Sequence, residues 1–277
     1  MAVRDATGPA AIPEHKARVT IGGIRHSEVI ASVAVFVLTI TAWQWGPGLL
    51  KIPPYIFPSF TTVMAGFQLL FSEEQLPLHT LVTAASVVIG FVIGSLLGML
   101  AGYTLGLSRM AEVVLSPYML ALQIAPKVAF APLFIMWFGY TLYPRILVAI
   151  LIVFFPVAVN VLMALKNIDV DFLRLAMSLH SSKRDIFWKI QFPASMPELF
   201  AGLRIGATLA VIGVVVGEMV GGNLGLGYLL VYGQGQADTA TVFDVILVLT
   251  VIGLMAYFAV VLLERLVLRW RPKTVAA

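Results

Sequence analysis

The sequence has no cysteine and few charged residues. None of its 277 residues is cysteine, and only 12% are Asp, Glu, Lys or Arg. The missing cysteines exclude disulfides and thiolate metal sites. Together with a mean hydropathy of +0.97, the scarcity of charge excludes an ordinary soluble domain.

Motifs for catalysis and nucleotide binding are also missing. No lysine follows a glycine, so the Gly-Lys-Ser/Thr end of a P-loop cannot form. The histidines lie in tails or loops with no carboxylate at ligand spacing, which predicts surface residues rather than a metal site. These histidines are His15, His26, His79 and His180. The sequence predicts no catalytic residue, no metal site and no cofactor on this chain, and hence no enzyme.

Long apolar runs dominate what is present. Hydrophobic residues make up 60% of the chain. Crossing a bilayer core takes about 20 apolar helical residues, so the length accommodates five or six spans. The runs are continuous and rich in Leu, Ala and Gly, which disfavours a β-barrel. The predicted fold class is all-α, a polytopic membrane protein with about six transmembrane helices.

The apolar runs divide the chain into five parts. They predict a cytoplasmic N-terminal tail at 1–28, a first transmembrane helix at 29–48 and an extracytoplasmic or interfacial segment at 49–79. A core at 80–270 follows, with a cytoplasmic loop at 168–196, and then a cytoplasmic tail at 271–277. With six alternating spans and a cytoplasmic N-terminus, 15 of the 18 Lys and Arg residues face the cytoplasm. This bias predicts that both termini and the 168–196 loop are cytoplasmic.

Two features of the core concern helix packing and a possible pathway. Gly90, Gly94, Gly98 and Gly102 share one face of the predicted second span, which favours close approach by another helix. The third span is interrupted at Pro126 and Lys127, and residues 123–139 are either a broken helix lining a pathway or a merely kinked one.

Six residues at membrane depth are candidates for lining that pathway. Lys127 and Glu218 are the ionisable ones, and both are predicted near the outer interface, where long side chains reach water cheaply. The glycine-rich stretch 221–236 predicts a flexible turn with a re-entrant segment. The candidates are Gln123, Pro126, Lys127, Asn160, Glu218 and Asn223.

The segment 171–204 is the one long charged amphipathic stretch between apolar spans. Its apolar spacing is interrupted at 180–182 and then resumes, which predicts two short helices joined by a corner and ended by Pro193 and Pro197. Ser182 is the predicted cap of the second helix, with its hydroxyl accepting from the N–H of Arg184 or Asp185. Such a rigid wedge on the cytoplasmic side suggests a docking element, and an amphipathic helix lying on lipid is the alternative.

This segment resembles the EAA loop of binding-protein-dependent ABC transporter permeases. Ala176 occupies the second alanine, and Ile190 and Pro193 keep their offsets. Arg174 stands where that family usually has glutamate, and His180 where it has glycine. Further stretches resemble the subgroup that imports nitrate, sulfonates, taurine and thiamine-precursor pyrimidines: PKVAFAPLFIMWFG at 126–139, GLR at 202–204 and GEMVGGNLGLGYLL at 217–230.

The resemblance implies a type I ABC importer permease in the bacterial plasma (inner) membrane, working as a homodimer. Its partners would be two ABC ATPase subunits, which bind ATP and Mg, and an extracytoplasmic solute-binding protein. The substrate would be a small organic anion or a pyrimidine or vitamin precursor. The resemblance assigns ATPase coupling to residues of the loop: Arg174, Leu175, Ala176, Met177, Leu179, His180, Ser181, Ser182, Ile190 and Pro193.

Two alternatives remain open. An ion-gradient-driven secondary transporter would need carboxylates or histidines at mid-membrane for coupling, and the sequence offers few candidates. A membrane scaffold without transport is disfavoured by the interrupted third span and the glycine-rich outer loop.

Overall fold

The computed structural model describes residues 26–72 and 74–270, and every regular element in these ranges is helical. The predicted tails at 1–28 and 271–277 lie almost wholly outside the described residues. The helices are α1 (His26–Leu49), α2 (Phe60–Ser72), α3 (Leu76–Leu107), α4 (Arg109–Ile124), α5 (Ala131–Phe138), α6 (Tyr143–Lys166), α7 (Val170–Ser178), α8 (Lys183–Ile186), α9 (Phe192–Gly221), α10 (Leu226–Gly235) and α11 (Thr239–Val267).

Helices α1, α3, α6, α9 and α11 are long and apolar enough to cross a membrane. A sixth span is formed if α4 and α5 count together, although the chain bends by 83° between them. A 3₁₀ turn, Lys127–Phe130, occupies this bend. The prediction of an all-α protein with about six spans is confirmed, and the third span is a broken helix rather than a kinked one.

Helix α6 lies at the centre of the bundle. Helix α3 packs closely against one side of it. A β-carbon on each of four glycines of α3 would lie 2.6–2.9 Å from a Cβ atom of α6. Only glycine therefore permits this spacing between the helices. The glycine–partner pairs are Gly90 with Ala149, Gly94 with Val153, Gly98 with Val157, and Gly102 with Val161. The predicted close approach along this stripe is confirmed.

A second glycine stripe, on α9, brings that helix against the other side of α6. A β-carbon on Gly213 would lie 2.7 Å from the Cα of Ala149, and one on Gly217 would lie 2.4 Å from the Cα of Arg145. This contact is harder to predict from the sequence, because the α9 glycines are spaced less regularly than those of α3.

The loop 168–196 differs from its prediction at its C-terminal end. The two short helices and their corner are present as α7 and α8, but α8 runs through a π turn, Phe187–Gln191, straight into α9. Pro193 lies in the first turn of α9, where its missing N–H leaves few helical hydrogen bonds unmade. Helix α9 therefore begins at Phe192, inside the predicted loop 168–196.

Candidate functional site

A cavity of about 560 Å³ opens on one side of the bundle between the α4–α5 bend and helices α6 and α9. Phe155 stands at the middle of the 24-residue helix α6, and Leu209 lies near the middle of the 30-residue helix α9. The cavity therefore lies at mid-depth of the helices that form it. Its lining residues are Gln123, Lys127, Val128, Ile152, Phe155, Pro156, Val159, Asn160, Ile205, Leu209 and Ile212.

Lys127 is the cationic residue in this wall. Its Nζ donates to the carbonyl oxygen of Gln123 at 2.6 Å and lies 4.8 Å from the centroid of the Phe155 ring. Across the described residues, no carboxylate oxygen comes within 4.0 Å of Nζ. The expectation that Lys127 lies near the outer interface is wrong, because the 83° bend turns the chain back against the middle of α6.

The structure brings together three of the six candidate pathway residues. Gln123, Lys127 and Asn160 line the cavity. The Asn160 side chain is fixed by a 2.8 Å hydrogen bond from Nδ2 to the Pro156 carbonyl oxygen. The other three do not line it: Pro126 accepts the first hydrogen bond of the 3₁₀ turn, Glu218 is buried elsewhere, and Asn223 is exposed in the turn before α10.

Glu218 forms a buried ion pair with Arg145 at the α10 end of the bundle. Arg145 NH1 lies 3.0 Å from Oε1, and the side chains of Arg145 and Glu218 are 5% and 0% exposed. The carboxylate also accepts from the Thr83 hydroxyl at 2.9 Å and from the Gly227 N–H at 2.8 Å. Burying this carboxylate without such partners would be costly, and here several donors surround it.

The same cluster anchors the start of α10. The Leu226 N–H donates to Thr83 Oγ1 at 2.8 Å, and Arg145 NH1 donates to the Leu224 carbonyl oxygen at 2.6 Å. His79 Nδ1 lies 3.0 Å from both the N and the O of Gly225. These contacts satisfy N–H groups that a helix start leaves without partners, and the negative carboxylate is favoured at that end of the helix.

Three expectations for this region need correction. The stretch 221–236, predicted as a turn with a re-entrant segment, is mostly the ten-residue helix α10, whose start is anchored to α3, α6 and α9. Glu218 does not reach toward the outer interface, since Arg145, the Thr83 hydroxyl and the Gly227 N–H satisfy it within the bundle. His79 is not a surface residue: it is 7% exposed and stacks on Tyr228 with ring centroids 5.8 Å apart.

Gly225 fits this cluster because it has no side chain. Its φ is +119°, and a β-carbon there would lie 2.2 Å from the Glu218 carboxyl group. Sequence reasoning missed Arg145 and Thr83, because nothing in the local pattern pairs either with Glu218, which is 73 positions from Arg145 and 135 from Thr83. One signal was available in the sequence. Arg145 and Glu218 have opposite charges and lie at the ends of two neighbouring apolar spans, on the side where α10 lies.

The corner between α7 and α8 has the geometry of a glycine-capped helix end. His180 adopts φ +56°, the left-handed conformation that glycine takes at little cost. The N–H groups of His180 and Ser181 donate to the carbonyls of Met177 and Ala176, each at 3.0 Å. This pair of bonds is the Schellman arrangement.

The second helix of the corner begins at the predicted cap. The Asp185 N–H donates to the Ser182 hydroxyl at 3.1 Å, which confirms one of the two predicted donors. Lys189 and Asp185 form an ion pair one turn along, with a separation of 2.6 Å. The cap and the pair fix the direction in which the chain leaves the corner.

The corner presents apolar side chains outward. Leu175, Met177 and Leu179 are 57%, 58% and 71% exposed, whereas Ala176 is 7% exposed against the bundle. The remaining loop residues assigned to coupling divide into two groups: Arg174, Ser181 and Ser182 are exposed, and Ile190 and Pro193 are half-buried at the base.

Polar contacts tie the base of this loop to three other helices. The Tyr103 and Ser195 hydroxyls are 2.8 Å apart, joining α3 to α9. Arg204, from the GLR stretch, pairs with Glu264 of α11 at 2.9 Å, and Lys166 pairs with Glu112 of α4.

No group of three or more His, Cys, Asp or Glu residues able to hold a metal ion occurs within 26–72 and 74–270.

The sequence was compared with known families and proteins. Residues 94–269 match the family described as "Binding-protein-dependent transport system inner membrane component". The formylaminopyrimidine transport permease of Halalkalibacterium halodurans is 32% identical over 250 residues, covering 90% of this chain and 99% of that protein. The riboflavin transport permease of Chloroflexus aurantiacus is 37% identical, with 84% and 87% covered. The aliphatic sulfonates transport permease of Bacillus subtilis, itself named as such only provisionally, is 31% identical, with 84% of each covered.

The fold matches a solved transporter. A chain of the MetNI methionine ABC transporter, in an inward-facing conformation, superposes with a TM-score of 0.61 at 18% identity. The match covers 71% of the present chain and 99% of that chain. At this identity the likeness concerns the fold alone.

Proposed function

The chain belongs to the binding-protein-dependent transport system inner membrane components and is a permease of the ABC importer type; on this premise we propose how its subunits assemble, how ATP hydrolysis is coupled to transport and how the substrate is selected. Two copies pair in the bacterial plasma (inner) membrane with both termini in the cytoplasm. Two ABC ATPase subunits bind on the cytoplasmic side, and a solute-binding protein delivers substrate from outside. The cavity beside α6 and α9 forms part of the pathway.

The α7–α8 corner is the docking element for the ATPase, and the exposure of its apolar side chains is the observation that carries the proposal. Its apolar side chains Leu175, Met177 and Leu179 are more than half exposed, although a monomer in water gains nothing from presenting them. The corner is also rigid, because the Schellman bonds and the Ser182 cap fix both of its helices. A rigid apolar knob suits insertion into a groove on a partner.

ATP and Mg are bound by the partner ATPase subunits and not by this chain. The support is chemical: the sequence has no Gly-Lys pair with which to build a P-loop. The chain itself is a transport component without hydrolytic activity.

The substrate is a small organic anion of the sulfonate, taurine or nitrate type, and a pyrimidine or vitamin precursor is the second possibility. Relatives bear names referring to aliphatic sulfonates, formylaminopyrimidine and riboflavin, so relatedness does not choose between these classes. The cation of Lys127 in the cavity wall favours an anion.

An ion-gradient-driven secondary transporter is the alternative function. It would use a buried titratable group, and Asp244 of α11 is fully buried with neither carboxylate oxygen hydrogen-bonded within the described residues. Asp244, however, lies in the second turn of α11 against Gly66 of α2, and it does not line the cavity. A coupling residue at that place would not touch the solute.

Copurification tests the proposal. A tagged chain expressed with its neighbouring genes should bring down an ATPase subunit, and the purified complex should hydrolyse ATP. Leu175→Ala combined with Leu179→Ala should lower the recovered ATPase several-fold, because it removes most of the exposed apolar area of the corner. Leu107→Ala is the matched control, since Leu107 is 47% exposed at the end of α3 but lies off the corner. An undiminished recovery in the double variant would refute docking through this corner.

A further inference from the structure

We propose that Lys127 forms a binding site for a singly charged organic anion halfway along the pathway, so that the permease itself selects for charge. The inference rests on the proposed function, because it assumes that the cavity lies on the route of the solute. The permease would then add its own selection for charge to any selection made by a soluble binding protein.

The first argument is the depth of the charge. Lys127 packs on Phe155, at the middle of α6, and not at either end of a span. Placing an ammonium group at mid-membrane costs several times more than placing it at an interface, and residues so placed face a cavity and serve function. The 83° break in the third span puts it there.

The second argument is that the protein does not neutralise this charge. An ammonium group has three N–H donors. The Gln123 carbonyl takes one, and the face of the Phe155 ring attracts the charge without cancelling it. Since no carboxylate lies within 4.0 Å in the part of the chain that the structure describes, the positive charge is left to a ligand.

The third argument is the chemistry of the remaining wall. A cavity of about 560 Å³ has the size of a small-molecule site. Apart from Lys127, its lining is aliphatic or aromatic, with the amides of Gln123 and Asn160 as the polar exceptions. One cation, two amides and an apolar remainder fit one anionic headgroup on a short apolar body, such as an alkanesulfonate. They do not fit a polyanion.

The absence of cysteine makes the site directly testable. In the full transporter complex, Asn160→Cys introduces a single thiol into the cavity wall. Two thiol reagents of similar size serve as probes: 2-sulfonatoethyl methanethiosulfonate, a negatively charged alkanesulfonate, and its positively charged trimethylammonioethyl counterpart. The measured quantity is the ratio of their modification rates.

Adding Lys127→Gln should lower the anion-to-cation rate ratio by about tenfold, since the nearby charge acts on the two probes in opposite directions. Lys127→Arg should preserve the ratio. Ethanesulfonate should slow modification when Lys127 is present and not in the Lys127→Gln variant. Ser72→Cys is the reference, because Ser72 is exposed at the end of α2 and its ratio should not respond to Lys127.

An unchanged ratio in the Lys127→Gln variant, or a cysteine at position 160 that reacts with neither probe, would overturn the anion site. Recovery of the ATPase subunit with each variant confirms that the complex is assembled. If the charge ratio behaves as expected but the Leu175→Ala and Leu179→Ala double variant still recovers the ATPase undiminished, the anion site stands and docking through the corner fails. The two ideas are therefore refuted by different measurements.

Discussion

At the scale of single residues, the strongest constraint is the buried pair of Arg145 and Glu218. Both side chains are almost wholly shielded, and Glu218 also accepts from Thr83 and Gly227. Removing one member of such a pair leaves the other charge buried without its partner. This lowers the free energy of unfolding more than replacing both members with apolar residues would. The pair therefore holds α10 in place, and it does not line the cavity.

Glu218→Ala should lower the free energy of unfolding by about 3–5 kcal/mol. The reason is that the Arg145 guanidinium, the Thr83 hydroxyl and the Gly227 N–H all lose their acceptor together. Arg145→Ala should cost a similar amount, and the double variant should cost less than the sum of the two, because the partners are coupled. Denaturant unfolding of the purified permease in detergent measures all three, and strict additivity would show that the pair contributes nothing.

Gly225→Ala should destabilise the anchored turn, while Gly235→Ala should not. At Gly225 a side chain meets both a φ of +119° and the Glu218 carboxyl group 2.2 Å away, and the backbone strain alone is worth about 1–3 kcal/mol. At Gly235, the last residue of α10, a β-carbon has nothing within 4 Å. Melting temperatures of the two variants test this, and equal melting temperatures would contradict the described turn.

At the scale of elements, the packing of α3 on α6 is easier to predict from the sequence than the end of α7. The regular glycine stripe of α3 predicts its contact with α6 because four-residue spacing is visible in the sequence. The end of α7 is less readable, since His180 takes a conformation that favours glycine. Its φ of +56° places a non-glycine residue in the left-handed conformation that glycine adopts at little cost.

Gly98→Ala should destabilise the α3–α6 contact. A β-carbon there would lie 2.6 Å from the Phe154 carbonyl oxygen and 2.9 Å from Val157 Cβ, so the helices must separate at a cost of about 1–3 kcal/mol. Gly253→Ala on α11 is the control, because nothing lies within 4 Å and alanine is the better helix former. In detergent, the free energy of unfolding should fall in Gly98→Ala and rise in Gly253→Ala. A stabilising Gly98→Ala would contradict the packing.

His180→Gly should leave ATPase docking intact and stabilise the corner by up to about 1 kcal/mol, because glycine avoids the left-handed strain. His180→Val should weaken docking, since a β-branched side chain tolerates positive φ poorly. The affinity of the ATPase subunit for each purified variant measures the difference. Loss of docking in His180→Gly together with full docking in His180→Val would show that the imidazole itself, and not the backbone, makes the contact.

At the scale of the whole molecule, composition and periodicity were enough to predict the helical membrane fold and the two-helix corner, and they left both a broken and a kinked third span open. They could not predict what depends on distant contacts. Lys127 looked interfacial because an 83° bend is invisible in a hydropathy pattern, and Glu218 looked like a pathway residue because its partners lie on other helices. His79 looked exposed because its partner is a backbone group 146 residues away.

In the proposed importer, the ATPase moves the corner and the corner moves the spans. Tyr103–Ser195 and Arg204–Glu264 connect the base of the loop to α3 and α11, and α9 continues from the loop into the cavity wall. Motion of the corner should therefore change the shape of the cavity, because α9 forms part of its wall.

The most direct test of this account is uptake of a labelled alkanesulfonate into liposomes that contain the purified complex, with its binding protein outside and ATP inside. The account predicts uptake that requires internal ATP, persists when ion gradients are collapsed, and is lost in the Leu175→Ala and Leu179→Ala double variant. Uptake that proceeds without ATP and disappears with the ion gradient would contradict it.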